Sequence, residues 1–169
     1  MIEELSVTEP VYVVHQSPIG WEPPFYMARV RLDYSRLPGQ IEQLPLKELG
    51  DGLFRIMCVP FCADGLAYQD VVALDPDGIY VHEVRQRSGH QVLRALLRPR
   101  DEAGLAAVTE SLVAVARWLG VAHEHHGDRF IAFDVSVGMD PQPLIDSLQK
   151  AADDGHLYWE WGDNAPFTP

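Results

Sequence analysis

At Val92 the apolar residues of this chain change period, and that change implies a fold in two parts. Upstream, apolar runs are short and are broken by Gly and Pro, so residues 11–14, 26–32, 53–59, 71–74 and 79–84 each read as a strand. Asp75-Pro76-Asp77-Gly78 is a turn: Pro presets φ and Gly tolerates a positive one, so the flanking runs should form a hairpin. Short strands at this spacing predict a small, strongly curved sheet or barrel. Residues 37–51, which hold Pro38-Gly39, Pro45 and Gly50-Asp51-Gly52, are expected as an irregular loop, and residues 17–24 as a second.

Downstream, residues 92–97 read as a strand, and an acidic helix start follows at residues 99–102. Leu105, Val108, Leu112, Val115, Ala116 and Leu119 then fall at helical spacing, and Gly120 closes the helix. Residues 121–126 and 129–135 flank Gly127-Asp128 as an antiparallel pair. Asp140-Pro141 supplies an N-cap and a proline at the first helical position; Leu144, Ile145, Leu148 and Ala152 form the apolar face and Gly155 the stop. Residues 157–161 are the last strand. The order βαββαβ is the split arrangement of ferredoxin-like folds. The expected class is therefore α+β: a small β-barrel-like sheet over residues 1–91, then a ferredoxin-like acidic domain over residues 92–169.

Side chains alternate along a strand, so Leu157, Trp159 and Trp161 share one face of the last strand, and Tyr158 and Glu160 share the other. In a split βαβ fold both helices cover one sheet face and leave the other free. With the tryptophans turned to the helices, Tyr158 and Glu160 are open to a partner; the opposite assignment would expose two tryptophans, which also marks an interface.

Charge is where function first enters. The last 69 residues carry twelve carboxylates against Arg117, Arg129 and Lys150, so most of the chain's net charge of −12 sits in its second half. That balance argues against a phosphate backbone or an anionic membrane as partner, since both are bound through Lys and Arg. A basic protein is the partner it suits. The acidic start, Met1-Ile2-Glu3-Glu4-Leu5, lacks the basic and apolar regions of a secretory signal, and no apolar run approaches the ~18 residues of a membrane span, so a cytoplasmic location is expected.

Cys58 and Cys62 are the only cysteines, read as too few for a disulfide framework and too few for a four-ligand zinc site. Either thiol could be imagined beside His82 or His90 as a nucleophile, but no positioned base accompanies them, and they read as core residues. On a strand, His123 and His125 of His123-Glu124-His125-His126 point one way and His126 the other, so at most two imidazoles converge. A third ligand, Asp128 or His156, would be needed for an open zinc geometry, and no motif specifies one. Neither a metal nor a cofactor is expected. The one basic run, Arg85, Arg87, Arg94, Arg98 and Arg100, could grip an anion, but reads better as arginines paired with the acidic half, holding the two parts in register.

Pro60, Phe61, Gly65, Tyr68, Asp70, Val71 and Val72, followed by Arg87-Ser88-Gly89-His90, form a pattern that resembles a bacterial family of domains of unknown function, over residues 53–162. The resemblance implies no activity; small acidic proteins of this kind are similar in character to immunity proteins that neutralise toxins. Physically, Gly65 allows a tight turn, Phe61 and Tyr68 fill the small barrel, and Asp70 accepts backbone amides. Tyr68, Asp70, Arg87 and His90 could also line a shallow pocket at the barrel mouth.

Two functions are therefore expected of the chain. The first is a non-enzymatic acidic binding protein, an immunity protein or antitoxin that occludes the active site of a basic toxin. Its partner surface would be Glu124, Asp128, Glu160 and Asp163, with Tyr158 and Trp161 as aromatic anchors. The second is a small-ligand-binding enzyme or sensor using Tyr68, Asp70, Arg87 and His90. Self-association into a homodimer through a free sheet face or edge is a third arrangement.

Overall fold

A computed structural model describes residues 8–169, so the acidic start at Met1 to Leu5 lies outside the described residues. The first sheet is built from β1 (Val11–Val13), β2 (Tyr26–Arg31), β3 (Gln40–Gly50), β4 (Leu53–Ile56), β5 (Val71–Leu74) and β6 (Val81–Gln86). Its strands run in the order β1-β3-β4-β5-β6, with β2 on the other side of β3. The Asp75 to Gly78 turn joins β5 to β6 as expected, and the Asp75 carboxylate accepts from the amides of Ile79 and Tyr80 at 2.8 and 3.0 Å. The sheet curls until Arg29 N of β2 donates to Ile79 O at 2.9 Å, but it stays open and forms no barrel.

Residues 37–51 are not the loop their Pro and Gly content predicts, because they contain β3, the longest strand of the chain at 11 residues. Backbone partners override composition here. β1 pairs with its start in parallel, β2 runs antiparallel along its middle, and β4 pairs with its end. Pro45 is tolerated because its neighbours supply what it lacks: Pro45 O accepts from Met57 N at 3.0 Å, while Met57 O, which proline cannot serve, accepts from Gly20 N at 2.9 Å.

The second half follows the sequence closely. β7 (Gln91–Leu97), α1 (Glu102–Leu119), β8 (Ala122–His126), β9 (Phe130–Val135), α2 (Gln142–Asp153) and β10 (Leu157–Trp161) form the split βαβ arrangement, with the antiparallel order β10-β7-β9-β8. Asp101 caps α1 by accepting from Gly104 N at 2.7 Å, and Gly120 ends it at φ 72°. At α2 the Asp140 carboxylate accepts from Gln142 N at 3.0 Å, and Pro141 occupies the cap itself. The observed fold is α+β, with the chain passing between its two sheets at residues 87–90. Among the described residues no helix is long and apolar enough to cross a membrane.

The two sheets meet face to face over a buried boundary. Leu93, Ala95, Leu97, Ile131, Phe133, Val135 and Leu157 join Leu112, Ala116, Leu144 and Leu148 of the helices in one apolar core, with Trp159 and Trp161 packed against it. The opposite face, expected to be free, is partly covered by the first half: Val92 and Ala132 belong to the core that holds Phe61, Leu44, Leu46 and Ile56, while Leu96 and Tyr158 stay exposed. Each Val, Leu, Ile or Phe among them, removed from water, contributes roughly 1.5–3 kcal/mol.

Candidate functional site

On the inner face of the second sheet each strand sends one charged side chain to a partner outside the sheet. Arg94 of β7 donates to Asp64 at 2.8 Å; Glu124 of β8 meets His15 at 2.7 Å; Asp134 of β9 meets His90 at 2.8 Å; Glu160 of β10 meets Arg36 at 2.9 Å. These pairs register one half of the molecule on the other. Of the arginines expected to do this, only Arg94 does among the described residues, and its principal partner lies in the first half. Arg94 also stands 3.5 Å from Glu160, while Arg85 and Arg87 pair within the first half, with Glu83 and Asp70.

The segment between β4 and β5, residues 57–70, carries the Pro-Phe and Tyr-x-Asp pattern and is held by buried carboxylates. Glu42, wholly buried on β3, accepts from the amides of Phe61, Cys62 and Ala63 at 2.6, 2.9 and 2.7 Å. Glu124 accepts from the amides of Val59 and Ile19 at 2.6 and 3.2 Å. Between them lies His15, with Nε2 on Glu42 at 2.8 Å and Nδ1 on Glu124 at 2.7 Å. A carboxylate only accepts, so both ring nitrogens carry protons and His15 is an imidazolium. Burial by itself would lower its pKa, but contact with Cys58 and the bonds to Glu124 and Glu42 hold it well above the ordinary value. Burial likewise works to raise Glu42, and is outweighed by His15 and the backbone amides, so its pKa is lowered. Phe61 stacks on the His15 ring with centroids 4.3 Å apart.

Burial pushes the Cys58 thiol up to about 11 and the Cys62 thiol to about 12. Both are therefore protonated at neutral pH, as core cysteines are. His123 and His125 lie on the helix side of the second sheet with ring centroids 5.2 Å apart, and His126 is on the other side against Phe61. Burial together with His123 lowers the pKa of His125. Among the described residues no group of three or more His, Cys, Asp or Glu side chains is placed to hold a metal ion.

Asp70, Arg87 and His90, singled out by the sequence, do come together. They line a cavity of about 590 Å³ together with Asp163 and Pro166 of the C-terminal tail. Asp70 is spent on structure: it accepts from Ala67 N at 3.0 Å, from Ser88 N at 2.8 Å and from Arg87 at 3.2 Å. Arg87 Nη1 also donates to Gly65 O. Tyr68 stands behind His90, edge-on with centroids 5.4 Å apart, and its carbonyl accepts from Ser88 Oγ at 2.7 Å. Burial raises the pKa of Asp134, and its bond to His90 opposes that rise. Gly65 lets the tail cross. Its φ is +69°, its N donates to Gly162 O at 2.9 Å, and a Cβ there would clash with Phe167 N.

The expected acidic partner surface is not assembled as one face. Glu124 is buried at the sheet boundary, Trp161 is turned to the helix core, and Asp163 lines the cavity. Tyr158 and Asp128 are exposed, and Glu160 is half-buried beside Arg36 and Arg94. His15 and Glu42 carry no sequence signal of their role, apart from being charged residues set within apolar runs.

The profile of a family described as "Domain of unknown function (DUF4265)" matches residues 42–159. The chain belongs to this family. The DUF4265 match takes in Glu42, residues 57–70, Arg87, His90, Glu124 and Asp134; His15, Arg36, Glu160 and Asp163 lie outside it. A solved structure described as "Novel crystal structure of a hypothetical protein from Neisseria gonorrhoeae" aligns with a TM-score of 0.62 at 18% identity, covering 81% of this chain and 92% of that one. At that identity the likeness shows a shared fold. Among curated proteins none matches.

Proposed function

We propose that this DUF4265 protein binds a small molecule in the cavity between residues 57–70, the Arg87–His90 connection and the C-terminal tail. The observation that carries this reading is the convergence of Arg87 and His90 on one concave site, each fixed from behind by an internal carboxylate, Asp70 and Asp134. Side chains locked by supporting hydrogen bonds and aimed at an open volume are the usual construction of a ligand site. Thermal-shift screening of the full chain against a library of small polar metabolites tests it. A saturable rise in Tm that His90→Ala removes, with the circular dichroism spectrum unchanged, is the expected result; no stabilising compound, or one indifferent to His90→Ala, defeats it.

A second reading keeps the chain as a binder of a basic protein, of the immunity type. It is favoured by a groove of about 640 Å³ between α1 and the β8–β9 turn, where Glu102, Glu110 and Asp128 stand together with Arg100. Complementary charge of this kind governs association rate and its salt dependence. Recovery of a basic protein at low salt, reduced by the double reversal Glu110→Lys and Asp128→Lys, supports it; recovery unchanged by those reversals excludes it.

A further inference from the structure

We propose that the cavity takes a zwitterion, a molecule bearing a carboxylate and an ammonium group such as a free α-amino acid. This rests on the reading of the cavity as a ligand site and specifies its chemistry. Arg87 commits Nη1 to Gly65 O and Asp70, and its other guanidinium donors have no acceptor among the described residues; its side chain is 57% exposed. Because Asp134 as a carboxylate can only accept, the bond from His90 Nδ1 fixes the proton on that nitrogen. Nε2 makes no hydrogen bond among the described residues, so a neutral His90 offers an acceptor on the cavity.

Asp163, carried by the tail that Gly65 allows to pass, lines the same cavity. Asp163 has no ion-pair partner among the described residues, although Arg87 lines the same space. A cation with free donors, an imidazole acceptor and an unpaired carboxylate thus face one volume without neutralising each other. A ligand carboxylate matches the Arg87 fork, and a ligand ammonium matches Asp163 with His90 Nε2. Phosphate esters and nucleotides are disfavoured, since among the described residues Arg87 is the one arginine lining the cavity, Asp70 and Asp163 line it too, Asp134 stands behind His90, and the chain carries a net charge of −12.

Isothermal titration of the full chain with each free L-amino acid, and with acetate, methylammonium and inorganic phosphate as singly functional probes, tests the assignment. At least one amino acid should bind saturably. Blocking its amine by N-acetylation or its carboxylate as the methyl ester should each weaken binding about tenfold or more, and Asp163→Asn should weaken the free amino acid to a similar extent. Acetate or phosphate binding as tightly as any amino acid, with Asp163→Asn without effect, would overturn the zwitterion and leave the cavity as an anion site. Methylammonium alone binding would overturn it as well. No binding by any probe, together with an empty metabolite screen, would overturn the ligand site itself.

Discussion

Glu124 and His15 lie 109 residues apart in the chain and meet at 2.7 Å, with neither side chain open to water beyond 2%. Because His15 also bonds Glu42, one imidazolium bridges two carboxylates that together hold five backbone amides, those of Ile19, Val59, Phe61, Cys62 and Ala63. A charge so placed is stable only while its partners remain.

Replacing His15 by Ala strands two buried carboxylates. His15→Ala is expected to destabilise the chain by about 3–5 kcal/mol, the penalty for breaking a buried ion pair from one side. Urea unfolding followed by tryptophan fluorescence measures it, and a loss below about 1 kcal/mol would mean that Glu42 and Glu124 find other partners.

Stability should pass through a maximum set by the same trio. The pKa of His15 is raised above its ordinary 6.5, so its contribution is fully present below that pH and is lost as pH rises through the higher folded value. Glu42 is lowered from 4.5, so its contribution is present above that pH and is lost as pH falls through the folded value. Calorimetric Tm measured against pH should fall on both sides, and His15→Gln should flatten the alkaline limb.

Gly65→Ala puts a Cβ where the tail runs, at a backbone φ of +69°. Left-handed geometry alone costs a non-glycine residue roughly 1–2 kcal/mol, and here the contact with Phe167 N adds to it. Displacement of the tail should follow, read as amide shift changes at residues 162–167 and faster proteolysis near the C-terminus. Gly39→Ala is the control, since its φ is also positive at +74° and no atom lies within 4 Å of the added carbon.

Neither thiol should react in the native protein. With Cys58 at about 11 and Cys62 at about 12, iodoacetamide at pH 8 is expected to leave both unmodified in the folded chain and to alkylate both in urea, as intact mass spectrometry would report. Rapid native labelling of Cys62, the less buried of the two, would contradict the environment described.

Much of the second half was legible because its signals are local. The period of Leu105, Leu112 and Leu119, the caps at Asp101 and Gly120 and the stop at Gly155 act within a few residues of where they are read. β3 was not legible for the opposite reason. Its Pro45 is admitted by Gly20 and Met57, residues far from it in sequence that complete the backbone hydrogen bonding around it. The cavity was half legible: Asp70, Arg87 and His90 sit in a recognisable pattern, whereas Asp163 joins them only because the tail folds back across Gly65.

What the chain determines by itself is which residues of each strand of the second sheet share a face, since alternation along a strand needs no tertiary context. Tertiary structure decided what the charged residues of the inner face meet. Arg94, Glu124, Asp134 and Glu160 have the spacing of residues bound for water or a partner, yet Arg94, Glu124 and Asp134 are buried and Glu160 half-buried, matched by Asp64, His15, His90 and Arg36. Hydrophobicity patterns record polarity. Whether a charge is solvated by water or by an opposite charge brought in from 30 to 124 residues away depends on contacts that no local period encodes.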